Sequence, residues 1–585
     1  MEDTPKRLEI TSILAELIAE LEPEETDIAL YLSSGYLRAP FESEKFNIAE
    51  KMVIRIFASA YATKENSDIL EKIQKLYSEN GDLGSVAYEL TPVHKASNIT
   101  ISEIHARFVE IAQSEGSGSQ ELKVAKTAKL LKEFDKLSAK FAIRIILGTT
   151  RLGFTELTVL DALSNLLKKD KSLREEIEGV YSIHPDIGLI AKLIKTKGIK
   201  GLKDITIETG VPVLSQKAQR LEGGMDEVIG KMGVVWAEFK FDGTRVQLHM
   251  DKNKQVKNKE SEQTSLFGGD KSKILLKTFT RNLEETTHQY PDLVEAAKKQ
   301  IKADSVILDG EAIGYNKETG AFLPFQETIQ RKRKHNVEEL AKTIPLKYFV
   351  FDILYLNGKS MIDKTLRERK AILTKIVGKG ETIVVDDYLE TDEFEKLKEY
   401  YDVAVAKNLE GLIVKKPGDS YQAGARTHSW VKLKRADQTL IQDSMDCVVL
   451  GYYYGKGVRS KFGIGGFLVG IYDEKNETFK TVTKVGTGLK DEDWVKLKSM
   501  ADKYVVTKIP ANVEIHKIFK PDVILAPKIV VEIGADEISV SPTHSTGYAL
   551  RFPRLINFRE DKRAEEATTI KELSGMFKAQ KVKKG

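Results

Sequence analysis

Apolar residues recur at three-and-four spacing through the first third of the chain. RLEITSILAELIAEL, NIAEKMVIRIFASAYA, DILEKIQKLYSE, LKVAKTAKLLKEF and LTVLDALSNLLKK each carry the stripe of an amphipathic helix. Alternation of β-branched residues is scarce before about residue 210, and SEGSGSQ (Ser114 to Gln120) reads as a flexible break. The period then changes. From Val234 onward short alternating runs appear, SVILDGEAIGY, YFVFDILYL, LEGLIVKK and SWVKLK, with helical pieces such as LRERKAILTKIV between them. From about Leu440 the pattern is mostly strand: DCVVLGYYY, FLVGIYD, TVTKVGT, IVVEIG and EISVS, separated by turn signals such as DEKNE. The expected architecture is an all-α region over residues 1–215, an α+β domain over 216–437 and a small β-barrel of OB-fold type over 438–585, ending in a loose basic tail, KAQKVKKG.

Length agrees with several domains, because 585 residues exceed what one core accommodates. A formal net charge of +4 does not announce a nucleic-acid binder, so local basic clusters would have to supply that contact. The single cysteine, Cys447, excludes a disulfide within the chain and argues against a thiolate zinc site. MEDTPKRLEI lacks an apolar signal core and no stretch reaches the length of a membrane span. The expectation is a cytoplasmic protein with no membrane partner.

One stretch changes the picture. In WAEFKFDGTRVQLHM the alternation places Glu238 and Lys240 on one face of a strand, just before the turn pair Asp242-Gly243 and close to Arg245. A lysine on a strand is ordinarily a solvated side chain. An amine becomes a nucleophile only when neutral, which requires desolvation or neighbouring cations. Other strand-borne groups add to the set. LDGE puts Asp309 and Glu311 on one face, and EGLIVKK opens with Glu410; hard oxygen ligands of this kind suit Mg²⁺ together with substrate phosphates. SWVKLKR puts Lys432 and Lys434 on one face with Arg426 just before them, cations that an intervening phosphate would reconcile. Phe351 reads either as core or as a plate for a base. Together these are the parts that nucleotidyl transfer needs.

The ordered series EFKFDGTR, TFTRN, LDGE, YFVFDILYL, EGLIVK, WVKLK and RFPRLINFREDK resembles the motif series of the ATP-dependent DNA ligases, most closely the three-domain archaeal and eukaryotic replicative type. The resemblance implies a helical DNA-binding domain, an ATP-grasp-like nucleotidyltransferase domain and an OB domain that swings in for adenylation. It implies ATP as AMP donor, Mg²⁺ as cofactor and nicked double-stranded DNA as substrate, in replication, repair and recombination. By the same resemblance Lys240 is the adenylated lysine and Glu238 reads adenine. Arg245 and Arg281 contact the ribose and phosphate region. Glu311 and Glu410 are linked to the metal, Glu311 also to the ribose, and Phe351 stacks on the base. Arg426, Lys432 and Lys434 bind phosphate, and Arg559, Asp561 and Lys562 orient the pyrophosphate.

Residues 252–273 form a polar, lysine-rich insertion between the Val246 strand and the LLKTFT strand. It carries QTSLF, Gln263 to Phe267, which resembles peptides that dock on sliding clamps. RKRKHN, Arg331 to Asn336, reads as a contact for DNA phosphate or as a solvated helix start. A monomer is expected. Two other readings remain open from sequence: an RNA ligase or mRNA-capping guanylyltransferase, which shares the KxDG lysine, and a non-catalytic nick- or clamp-binding protein.

Overall fold

The computed structural model describes residues 1–585 apart from 3, 5, 43, 64–67, 94–98, 221–224, 256–273, 324, 333–336, 408, 435–443 and 583–585. Before Lys217 the described chain contains helices and no strands. The Arg7–Glu20 helix buries Ile10, Leu14 and Ile18, one face at four-residue spacing. The Ile101–Ala112 helix opens on a capping box between Thr100 and Glu103. No helix of the described residues is long and apolar enough to cross a membrane.

The chain forms two compact units. The first contains residues 1–48, 98–123 and 144–434. Its strands are β1 (Lys217–Arg220), β2 (Val235–Lys240), β3 (Thr244–Gln255), β4 (Ile274–Thr280), β5 (Ser305–Gly314), β6 (Leu346–Leu356), β7 (Lys359–Ser360), β8 (Ile383–Val385), β9 (Tyr388–Thr391), β10 (Gly411–Lys415) and β11 (Arg426–Lys434). They make two sheets. One runs β1-β11-β10-β2-β9; the other runs β4-β3-β5-β6-β7, with β8 parallel to β6. In the first sheet Val235, Ala237, Leu412, Val414, Val431 and Leu433 pack against Leu397, Tyr401 and Ala404 of the Phe394–Ala406 helix. That apolar face leaves the alternate residues of β2, β10 and β11 for the other side.

β2 and β3 do not pair with each other. β2 lies between β10 and β9, whereas β3 lies between β4 and β5. Asp242-Gly243 therefore carries the chain from one sheet to the other. A side chain at 243 would meet the Ala312 carbonyl oxygen at 2.5 Å and Glu311 Cγ at 3.0 Å, so glycine is what lets the crossing lie against β5. The chain crosses back between β8 and β9, at Asp386-Asp387.

The second unit contains residues 49–97, 124–143 and 435–585. Its strands include β12 (Met445–Tyr453), β13 (Gly466–Asp473), β14 (Thr478–Val485), β15 (Val505–Val506), β16 (Val513–Glu514), β17 (Val523–Leu525), β18 (Val530–Gly534), β19 (Glu537–Val540), β20 (Tyr548–Arg551) and β21 (Arg554–Phe558). Eight of them join in one sheet around a core that includes Cys447, Val449, Phe467, Val469, Val482 and Val531. The tail differs from expectation. An Ile570–Val582 helix runs through most of KAQKVKKG, buries Leu573, and spans the Ile538 N–H and carbonyl with the Gln580 amide, at 2.8 and 2.9 Å.

Candidate active site

The floor of the site is the polar face of the first sheet. Register sets it out in two rows. Lys240, Gly411 and Lys434 lie side by side across β2, β10 and β11; Glu238, Ile413 and Lys432 form the next row. Gly411 leaves an opening between the two lysines. Glu410 precedes it and donates its N–H to the Lys240 carbonyl at 3.0 Å. Its carboxylate lies 2.6 Å from Lys240 Nζ and 3.0 Å from Lys434 Nζ. Burial works to raise the Glu410 carboxyl, but Lys240 first and then Lys434 outweigh it and hold it well below the usual carboxylate range.

The second sheet forms the facing wall. Arg245 and Glu311 are register partners on β3 and β5. Both line one cavity of about 560 Å³ together with Lys240, Arg281, Phe351, Arg426, Lys432 and Lys434. The Arg245 guanidinium is fixed by a fork on Asp309, at 3.0 and 2.6 Å, and by the Gln216 carbonyl at 2.7 Å. No hydrogen bond or ion pair engages the Glu311 carboxyl among the described residues. Burial pushes its pKa up to about 7, against the pull of Lys240 and Arg245.

At the far end of the cavity Glu238 is buried between two ammonium groups. Lys370 Nζ lies 3.0 Å from Oε1, and Lys415 bonds the other oxygen. Phe351 presents its ring there, with Lys415 Nζ 4.5 Å from its centroid and Trp430 edge-on at 5.9 Å. The arrangement offers a flat apolar surface beside hydrogen-bonding groups at one end and a cluster of cations around a lysine at the other. A purine nucleotide has that same division of chemistry.

Similarity to known proteins extends along the chain. The family described as "DNA ligase N terminus" matches residues 1–164, "ATP dependent DNA ligase domain" matches 269–434, and "ATP dependent DNA ligase C terminal region" matches 460–562. The probable DNA ligase of Dictyoglomus turgidum is 40% identical, covering 100% of this chain and 97% of that protein. The chain belongs to the ATP-dependent DNA ligases. DNA ligase 2 of Thermofilum pendens is 37% identical, covering 99% of this chain and 96% of its own. The solved structure of Pmar-Lig_PreS3 matches with a TM-score of 0.50 at 16% identity, covering 92% of this chain and 100% of its own, a likeness of fold alone. The ligase seals nicks in DNA with ATP, and the RNA-ligase, capping and non-catalytic readings are not favoured.

Most of the ligase's sequence-derived site residues meet in one cavity. Lys240, Glu238, Arg245, Arg281, Glu311, Phe351, Arg426, Lys432 and Lys434 line it, and Glu410 reaches in through its contacts with Lys240 and Lys434. Arg559 and Lys562 lie in the second unit, where both hold Asp446, at 3.0 and 2.5 Å. Two readings are corrected. Asp309, grouped with Glu311 as a metal carboxylate, is fully buried and taken by Arg245 and by the Tyr421 hydroxyl at 2.8 Å. Arg331, in the cluster read as a DNA contact or a solvated helix start, is neither exposed nor free: it is buried on Asp292, at 2.6 and 3.0 Å. The rest of that cluster from 333 onward, and Gln263 to Phe267, lie outside the described residues. Sequence reasoning missed Lys370 and Lys415. Lys415 had a signal, since it falls on the same face of its strand as Gly411; Lys370 had none, because it sits in an amphipathic helix.

Glu311 and Glu410 fit the Mg²⁺ that this family uses. Mg²⁺ takes one or two carboxylates and completes its shell with phosphate oxygens and water. Among the described residues no group of three or more acidic, histidine or cysteine side chains is placed to hold a metal. Glu311 is a half-buried carboxyl with no hydrogen-bond or ion-pair partner among the described residues, which a cation would satisfy.

Proposed function

We propose that Lys240 is the residue that carries AMP. The carrying observation is its place between the Glu410–Lys434 cluster and the unpaired Glu311, in a cavity that ends at Glu238 and Phe351. The amine of Lys240 attacks the α-phosphorus of ATP; a P–N bond forms and the bond to pyrophosphate breaks. AMP then passes to the 5′-phosphate at a nick, restoring the amine, and the 3′-hydroxyl displaces AMP to close the strand. Arg426, Lys432 and Lys434 draw charge from the phosphates, Arg281 lies at the ribose side, and Phe351 holds the base. Mg²⁺ held by Glu311 and Glu410 supplies further neutralisation of phosphate charge.

In this reading residues 1–215 form a DNA-binding domain, 216–437 the adenylation domain and 438–585 an OB domain. Arg559 and Lys562 of the OB domain orient the leaving pyrophosphate. The β-rich core of the second unit supports the OB assignment. The enzyme acts as a monomer in replication, repair and recombination, and Gln263 to Phe267 docks on a sliding clamp.

The test is incubation with α-³²P-ATP and Mg²⁺ followed by a denaturing gel. Wild type acquires label, whereas Lys240→Ala and Lys240→Arg do not. Label retained by Lys240→Ala would move the covalent site elsewhere, and label from GTP in place of ATP would restore the capping reading.

A further inference from the structure

Asp386 is a buried carboxyl that the reading above does not use. It stands where the chain crosses from the second sheet back to the first. Its N–H bonds the Val350 carbonyl at 2.9 Å, just beyond β8, and two residues later Tyr388 of β9 pairs with Glu238 of β2. The crossing places Asp386 in the wall of the nucleotide cavity, with Glu238, Phe351 and Lys415. It is 5% exposed.

The other buried aspartates nearby are fully engaged: Asp352 by a two-pronged bond from Arg369, Asp309 by Arg245 and Tyr421. The Asp386 carboxyl makes no hydrogen bond among the described residues. Burial, then the Glu238 charge, pushes its pKa well above the ordinary value, and Lys370 and Lys415 only partly offset that. A neutral carboxyl has one O–H donor and one free acceptor side by side. Adenine presents the complement along one edge, an acceptor at N1 beside a donor on the 6-amino group.

We propose that Asp386 is a base-reading residue, donating its O–H to adenine N1 and accepting from the 6-amino group, while Glu238 accepts that group's second hydrogen. The assignment rests on the reading of Lys240 and this cavity as the ATP site. Glu238 is held by Lys370 and Lys415 and has oxygen lone pairs left for one amine hydrogen. Asp386 supplies the contact to N1 in this arrangement.

The experiment compares ATP with 1-deaza-ATP, which lacks N1, as AMP donors in single-turnover labelling of full-length protein. Wild type shows a KM for 1-deaza-ATP about tenfold above that for ATP, with similar maximal rates. Asp386→Ala raises the KM for ATP at least tenfold and that for 1-deaza-ATP by a smaller factor, because only the 6-amino contact is lost with the analogue, so the preference disappears. Asp386→Asn, whose amide also donates and accepts, keeps the preference. Equal use of both nucleotides by wild type would overturn the proposal without any variant. So would equal damage by Asn and Ala, which would make Asp386 a counter-ion for the lysines. Absence of label from wild type with either nucleotide would instead overturn the ATP-site reading.

Discussion

At the scale of the residue, Glu311 shows what the site costs the fold. Its pKa stands at about 7 against an ordinary 4.5, with burial the main cause. The folded state therefore binds more protons than the unfolded state between those values, and stability falls as pH rises from about 4.5 to 7. Above 7 the charged, largely desolvated carboxyl opposes folding by about 3 kcal/mol. Glu311→Gln carries no such penalty. In metal-free buffer its Tm should match wild type near pH 4.5 and exceed it by a few degrees at pH 7.5, while lysine adenylation falls at least ~100-fold, as expected for loss of a charge that acts on the reacting phosphates. Thermal melts across that range check the first part; a Tm difference independent of pH would contradict it. Lys240 and Glu238 were legible in the sequence because strand alternation puts them on one face. The different fates of Asp309 and Glu311 were not. Both point from one strand, and only the arrival of Arg245 and Tyr421 on Asp309 separates the structural carboxylate from the unpaired one.

At the scale of the element, the site depends on β10 passing between β2 and β11 with no side chain at its first residue. Gly411 has φ +135°, and a Cβ there would come within 2.0 Å of the Leu433 carbonyl oxygen. Gly411→Ala must therefore push β10 and β11 apart at the row that aligns Lys240 with Lys434. The expected cost is roughly 2–4 kcal/mol of stability, and labelling by ATP should be lost. Gly230 is the control: it sits in the Asp226–Met232 helix with nothing within 4 Å of an added Cβ, so Gly230→Ala should stabilise by about 0.5–1 kcal/mol and leave labelling intact. Denaturant melts of the two variants separate these outcomes. Period and composition foretold the strands themselves. Which strands pair was hidden, because β2 finds β10 some 170 residues later, and no local signal distinguishes a hairpin turn at Asp242-Gly243 from a crossing between sheets. The basic letters of KAQKVKKG likewise masked a helix whose apolar contacts, Leu573, Met576 and Phe577, lie mainly upstream of it.

At the scale of the whole molecule, the compact units do not follow the order of the chain. Residues 49–97 and 124–143 join 435–585 in one unit, whereas the rest of the helical region joins the two sheets in the other. The nucleotide cavity is lined by the first unit alone. A ligand that binds only the folded cavity stabilises the unit that contains it, by about 2.7 kcal/mol at a hundred times its Kd. Units with separate cores are expected to unfold in separate steps. Scanning calorimetry of the full chain should therefore resolve two transitions. α,β-Methylene-ATP, which occupies an ATP site but cannot transfer AMP, should raise one of them by several degrees and leave the other in place. Partial proteolysis at temperatures between the two would identify which survives: fragments from 144–434 should persist with the nucleotide and fragments from 435–585 should not gain protection. A single transition that moves as a whole would mean instead that the units fold as one cooperative body, with nucleotide binding felt equally in the β-rich unit that carries Arg559 and Lys562.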